Sequence, residues 1–141
     1  MKRVLIAEDN LADQELIRLT FEAVDPDYEV EIVGDGEELL AYLDRSNPYD
    51  LQFVLLDLNM PRMGGTEVLE RMSEEARFRT VPVIVFSSSV STQDIKQCYA
   101  QGANAYVRKP VDLDAYQTTI EAITEFWGGT NVLARPAGQE F

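Results

Sequence analysis

The sequence contains no histidine and a single cysteine, Cys98. The first absence removes serine–histidine and cysteine–histidine catalysis together with the commonest metal ligand. The second excludes an internal disulfide. No apolar run approaches the roughly 18–20 residues that cross a bilayer. Glu8-Asp9 interrupt the N-terminal segment before a signal-peptide core could form, so a cytoplasmic protein is expected. Positive charge is also scarce: 12 Lys and Arg stand against 25 Asp and Glu, a formal net charge of −13. That balance repels nucleic-acid backbones and anionic lipid, so neither nucleic acid nor membrane is an expected partner.

What is present is a regular alternation. Short apolar runs at Val4–Ala7, Val30–Val33, Phe53–Leu56, Val83–Phe86 and Ala105–Val107 read as buried strands. Between them, apolar residues recur three and four apart, as in Leu16/Ile17/Thr20/Phe21/Val24, Leu39/Leu40/Leu43 and Val68/Leu69/Met72. Asp35-Gly36-Glu37-Glu38 and Ser91-Thr92-Gln93-Asp94 resemble capping boxes, and Asn10 and Asp112 are further N-cap candidates. In a chain of 141 residues this predicts one α/β domain, a (βα)5 doubly wound parallel sheet. The flavodoxin-like strand order 2-1-3-4-5 is expected, with ligands bound beyond the carboxyl ends of the strands.

Strand one ends in Glu8-Asp9 and strand three in Asp57. Any one of these acids could simply start a loop or cap a helix. At neighbouring strand ends, however, three carboxylates repel one another unless a cation relieves them. An oxygen-only set without His or Cys suits Mg²⁺, with Mn²⁺ as a substitute. Strand four ends in Ser87-Ser88-Ser89 and strand five in Val107-Arg108-Lys109-Pro110. A lone Ser or Lys is ordinarily surface decoration, but here a hydroxyl and an ammonium fall where the topology puts the pocket. Both suit phosphoryl oxygens on an aspartate nucleophile, Asp57. X-Pro bonds admit the cis form, and a cis Lys109–Pro110 bond would place the ammonium inward.

Glu8-Asp9-Asn10, Leu55-Leu56-Asp57-Leu58-Asn59-Met60-Pro61, Gly64-Gly65, Ser87 and Lys109-Pro110 together resemble the receiver domains of two-component signalling. The likeness covers residues 3–127. It implies Asp57 as phosphoacceptor, Glu8 and Asp9 as the acidic pair, and the Asn59 main-chain carbonyl as a further metal ligand. It implies Ser87 and Lys109 as the switch hydroxyl and phosphoryl-binding lysine, and Tyr106 as the aromatic whose rotamer follows the hydroxyl. The implied partners are a sensor histidine kinase or a histidine phosphotransfer protein upstream and a protein target downstream. That target would meet the face of helix four, strand five and helix five, near Gln93, Lys96, Gln97 and Tyr99. Asn59 and Ser89 flank the pocket where side chains influence the hydrolytic water.

Helix five carries Leu113, Tyr116, Ile120, Ile123 and Trp127 as a stripe expected to pack on the sheet. Thr119, Ala122 and Phe126 extend it sideways, enough for a homodimer contact there or across helix four, strand five and helix five. Phe126-Trp127 is similar to the same position in a subgroup of stand-alone regulators, several of which partner bacteriophytochromes. Gly128-Gly129 should break the helix, making 1–127 the domain and 128–141, with Pro136, an extension without a domain of its own. Output would then pass through another protein. Two other readings put an aspartate or a phosphate at such strand ends. A haloacid-dehalogenase-type phosphohydrolase would want an acid at Asn59, and a flavodoxin would want phosphate-binding donors where Glu8-Asp9 stand.

Overall fold

All five expected strands form, each one or two residues longer than the apolar run that announces it. They are β1 (Lys2–Ala7), β2 (Tyr28–Val33), β3 (Leu51–Leu56), β4 (Val83–Ser87) and β5 (Ala105–Arg108). The structure, a computed structural model, describes residues 2–134. The strands make one parallel sheet in the order β2-β1-β3-β4-β5, the flavodoxin-like order expected. Helices α1 (Leu11–Val24), α2 (Gly36–Arg45), α3 (Gly65–Ser73), α4 (Thr92–Ala100) and α5 (Leu113–Glu125) alternate with them.

Four helices start on the expected caps. Asn10, Asp35, Ser91 and Asp112 each accept a hydrogen bond from the main-chain N–H three residues on, satisfying one of the free donors of the first turn. The two capping boxes close differently from the usual pattern. Glu38 accepts from the Gly34 N–H at 2.8 Å, and Asp94 accepts from the Ser89 hydroxyl at 2.6 Å.

Strand alternation divides the core in two. Val4, Ile6, Phe53, Leu55, Ile84 and Phe86 face α1 and α5. Leu5, Ala7, Val54, Leu56, Val83 and Val85 face α2, α3 and α4. Two expected core residues lie outside it: Leu113 is 57% exposed and Val24 39%. Both stand in terminal turns, Leu113 first in α5 and Val24 last in α1. The glycine pair does not stop α5 at once either. The chain widens into a π-helical turn, Phe126–Thr130, that contains both glycines. Gly128 is buried there against Tyr28, so closely that a Cβ would fall 1.5 Å from the Tyr28 hydroxyl oxygen and only glycine fits. Leu133 is buried too, whereas Phe126 is 48% exposed. Pro136 and the rest of 135–141 lie outside the described residues.

Candidate functional site

The strand ladders continue one residue past the strand ends and fix the backbone of the pocket. The Glu8 N–H donates to the Val33 carbonyl (3.0 Å), that of Asp57 to Ala7 (3.0 Å), and that of Lys109 to Ser87 (2.8 Å). Residues with the parity of Ile6, Leu55 and Val107 face α1 and α5, and the same parity carries Glu8, Asp57 and Lys109 to one side. Ser87 and Tyr106 have the opposite parity and stand on the α4 side.

Close packing beneath Asp57 leaves its main chain little freedom. The Gly65 N–H donates to the Leu58 carbonyl at 2.9 Å, and a Cβ on Gly65 would fall 2.6 Å from the Asp57 carbonyl oxygen. The following loop is tied to α2. Gly36 N–H donates to the Met63 carbonyl at 3.1 Å, and Arg62, in a left-handed conformation (φ 63°), reaches buried Asp35 at 3.1 Å.

Glu8, Asp9 and Asp57 bring one carboxylate oxygen each within 4.8 Å of one another. Glu8 is 2% and Asp57 7% exposed, while Asp9 opens to solvent. Lys109 Nζ donates to Glu8 Oε1 (2.5 Å), Asp13 Oδ2 (3.3 Å) and Asp57 Oδ2 (3.4 Å). The second oxygen of Glu8 accepts from the Asn10 N–H at 3.1 Å, and its carbonyl accepts from the Gln14 amide at 2.6 Å. Burial pushes the Glu8 carboxyl up to about 7, with the Lys109 hydrogen bond opposing and the Asp57 charge adding to the rise. Burial would lower Lys109, but its hydrogen bond to Glu8 and the charges of Glu8, Asp57 and Asp13 outweigh it and hold its ammonium above the usual range. One ammonium cannot neutralise four neighbouring acids, so the pocket keeps a negative charge that attracts a cation.

The donor set fits a hard divalent cation: three carboxylates at the strand ends, no nitrogen or sulfur, and an open side at Asp9. Asn59, whose carbonyl the resemblance adds, lies exposed just beyond Asp57.

On the other flank, Ser87 is fully buried and its Oγ accepts from the Ser89 N–H at 3.2 Å. Half-buried Tyr106 donates its hydroxyl to the Ser89 carbonyl at 2.8 Å and its N–H to the Tyr99 hydroxyl at 3.1 Å. Ser89 itself is engaged by Asp94. The Lys109–Pro110 peptide is trans, contrary to the cis form considered from sequence. No isomer is needed to aim the ammonium, because the Lys109–Ser87 ladder bond and strand parity already do so. Asp13, Gln14, Tyr116 and the Arg62–Asp35 tie are site neighbours that the sequence reading missed. Asp13 carries no local signal, because an acid in the first turn of α1 reads as an ordinary helix-start residue.

Residues 4–121 match the model of the response regulator receiver domain family. The probable methanogenesis regulatory protein FilR2 of Methanothrix harundinacea is 36% identical over 140 residues, spanning 95% of this chain and 88% of its own length. The phosphorylated cyanobacterial phytochrome response regulator RcpA superposes with a TM-score of 0.88 at 33% identity, over 95% of this chain and 99% of that one. The Mn²⁺-bound form of the response regulator Rcp1 of Synechocystis superposes with a TM-score of 0.87 at 29% identity, over 96% and 100% of the two chains.

Proposed function

The chain belongs to the response regulator receiver domain family, and we propose that it is a phosphorylation-controlled switch in which Asp57 accepts a phosphoryl group from a phosphohistidine. The observation that carries this reading is the placement of Asp57. Its carboxylate lies beside Glu8 and Asp9 within 4.8 Å and faces the Lys109 ammonium at 3.4 Å.

In the transfer, a carboxylate oxygen of Asp57 bonds to phosphorus as the P–N bond of the donor breaks. The electron pair stays on the imidazole nitrogen, which takes up a proton. Glu8, Asp9, Asp57 and the Asn59 carbonyl would hold Mg²⁺, or Mn²⁺ in its place, which neutralises charge on the phosphoryl oxygens. Lys109 supplies the other positive charge, and the fixed main chain of Asp57 holds the nucleophile in line. Water attacking the same phosphorus later breaks the Asp57 O–P bond, releases inorganic phosphate and returns the free carboxylate.

Ser87 then turns its hydroxyl toward the phosphoryl oxygens, and Tyr106 moves into the space beside it, shifting the population of the α4–β5–α5 face toward a form that binds a downstream protein. Likeness to the phytochrome response regulator RcpA supports a phytochrome-type histidine kinase, directly or through a histidine phosphotransfer protein, as the donor. A homodimer through α4–β5–α5 or the exposed Phe126 end of α5 fits the same reading.

The test is incubation with acetyl phosphate, with and without Mg²⁺, read by intact mass beside Asp57→Asn. A Mg²⁺-dependent gain of one phosphoryl group, lost in the variant, is expected. No gain by folded wild type, or an equal gain by Asp57→Asn, would remove Asp57 from the role.

A further inference from the structure

Lys109 has one acceptor more than phosphoryl chemistry requires. Of the three carboxylates on its ammonium, Glu8 and Asp57 belong to the cation cluster and Asp13 does not. Asp13 is the third residue of α1, where an acidic side chain commonly turns back to the N-cap main-chain N–H. Here that N–H, of Asn10, donates to Glu8 Oε2. Asp13 is thereby released from capping, and its carboxylate turns inward to Lys109 at 3.3 Å.

On the other side of the ammonium, α5 supplies Tyr116. Its ring meets Phe86 edge-on with centroids 5.2 Å apart, and Lys109 Nζ overlies that same Phe86 ring at 5.8 Å. The Tyr116 hydroxyl is buried without a hydrogen-bond partner, a state that a nearby acceptor would relieve. Burial raises it well above the usual phenol range, and of the neighbouring carboxylates Asp13 adds most to the rise, ahead of Glu8 and Asp57. The acid that acts most strongly on this hydroxyl is thus the one on Lys109 that the cation cluster does not use.

From this geometry we propose that Asp13 is a positioning residue that draws the Lys109 ammonium toward α1 and so sets how readily it reaches a phosphoryl group on Asp57. Tyr116, whose buried hydroxyl already feels the Asp13 charge, is the donor available to steady that carboxylate. The inference rests on the reading of Asp57 as phosphoacceptor. The Lys109–Asp57 contact, at 3.4 Å, is the longest of the three. An ammonium held by Glu8 and Asp13 must give up one of them to follow the incoming phosphoryl oxygens, and Asp13, with a side chain 30% exposed, is the weaker hold.

Asp13→Asn keeps the size of the side chain and removes its charge. Phosphoryl uptake from acetyl phosphate at saturating Mg²⁺ should then be about two- to fivefold faster, the rate equivalent of a partly exposed ion pair. Asp13→Glu should restore the wild-type rate, and Tyr116→Phe should move it in the direction of Asp13→Asn by less. A general change of field would act with or without the lysine, so the same substitution is placed in Lys109→Ala, where its effect should vanish. Independently of phosphorylation, the ¹⁵Nζ resonance of Lys109 in Mg²⁺-free protein should shift in Asp13→Asn and return in Asp13→Glu. Equal acceleration in both backgrounds, or an Nζ resonance indifferent to residue 13, overturns the proposal. Failure of wild type to take up any phosphoryl group would sink the role of Asp57, while the Nζ resonance would still decide that of Asp13.

Discussion

On the β1–β3 flank of the pocket, Glu8 and Asp57 are buried and anchored through main-chain bonds to neighbouring strands. On the β4–β5 flank, edge strand β5 leaves Ala105, Tyr106 and Val107 half-buried and Arg108 exposed. β3 is covered on both faces and paired on both sides, whereas β5 pairs only with β4. The difference matches two demands. A nucleophile and its counter-charges need atoms held within fractions of an ångström, while a surface that changes partners needs neighbours that shift at low cost. The sheet meets both by placing the acids at its centre and the aromatic switch candidate at its edge.

The contrast predicts unequal stability losses. Phe53→Ala, beneath the acid flank and fully buried, should cost about 3–5 kcal/mol. Val107→Ala, half-buried on β5, should cost about 1 kcal/mol or less. Denaturant unfolding of the two variants measures both, and equal losses would show that β5 is no looser than the centre.

Next in size is a pH effect confined to the acid flank. With its carboxyl raised from 4.5 to about 7 by burial, Glu8 binds a proton more tightly in the folded state than in the unfolded one. Metal-free stability from this group is therefore complete below pH 4.5 and declines as pH rises to about 7, by on the order of 3 kcal/mol. Lys109, raised above 10.5, loses its contribution only at higher pH and leaves this window alone. Mg²⁺ needs the ionised carboxylate, so the stabilisation it adds should grow over the same interval. Melting temperatures from pH 4.5 to 8, with and without Mg²⁺, should show the two opposite slopes. Glu8→Gln should flatten the metal-free one, and a slope unchanged in that variant would place the titration elsewhere.

The centre of the molecule was also the more legible in sequence. Unbroken apolar runs ending in Glu8-Asp9 and Asp57 can be read because a parallel strand buried on both faces tolerates nothing else, and the strand order then makes those ends neighbours. Four N-caps were legible for a similarly local reason: the signal and the bond lie within four residues. What escaped depends on contacts distant in the chain. The turn over Gly128-Gly129 is shaped by Tyr28, which lies on β2 at the other end of the chain. Asp13 reads as an ordinary helix-start acid until Asn10 is seen bonded to Glu8 and Lys109 is seen arriving from β5. Leu113 keeps the helical period yet overhangs the sheet, because periodicity gives a direction and not the extent of the surface it faces.

The smallest predicted effect tests the edge directly. Tyr106→Phe removes the hydroxyl that donates to the Ser89 carbonyl and leaves the ring. In the unphosphorylated protein the loss should be about 1 kcal/mol, the net worth of one hydrogen bond. If Tyr106 leaves Ser89 when the switch operates, the phosphorylated form has no such bond to lose. The variant should then gain more from beryllofluoride, a phosphoryl mimic, than wild type does, by about the same 1 kcal/mol. Chemical unfolding with and without beryllofluoride and Mg²⁺ reads this difference. An equal loss in both states would mean that the hydroxyl stays on Ser89 throughout. The looseness of β5 would then be only that of an edge strand, and the readout would have to lie elsewhere on the α4–β5–α5 face.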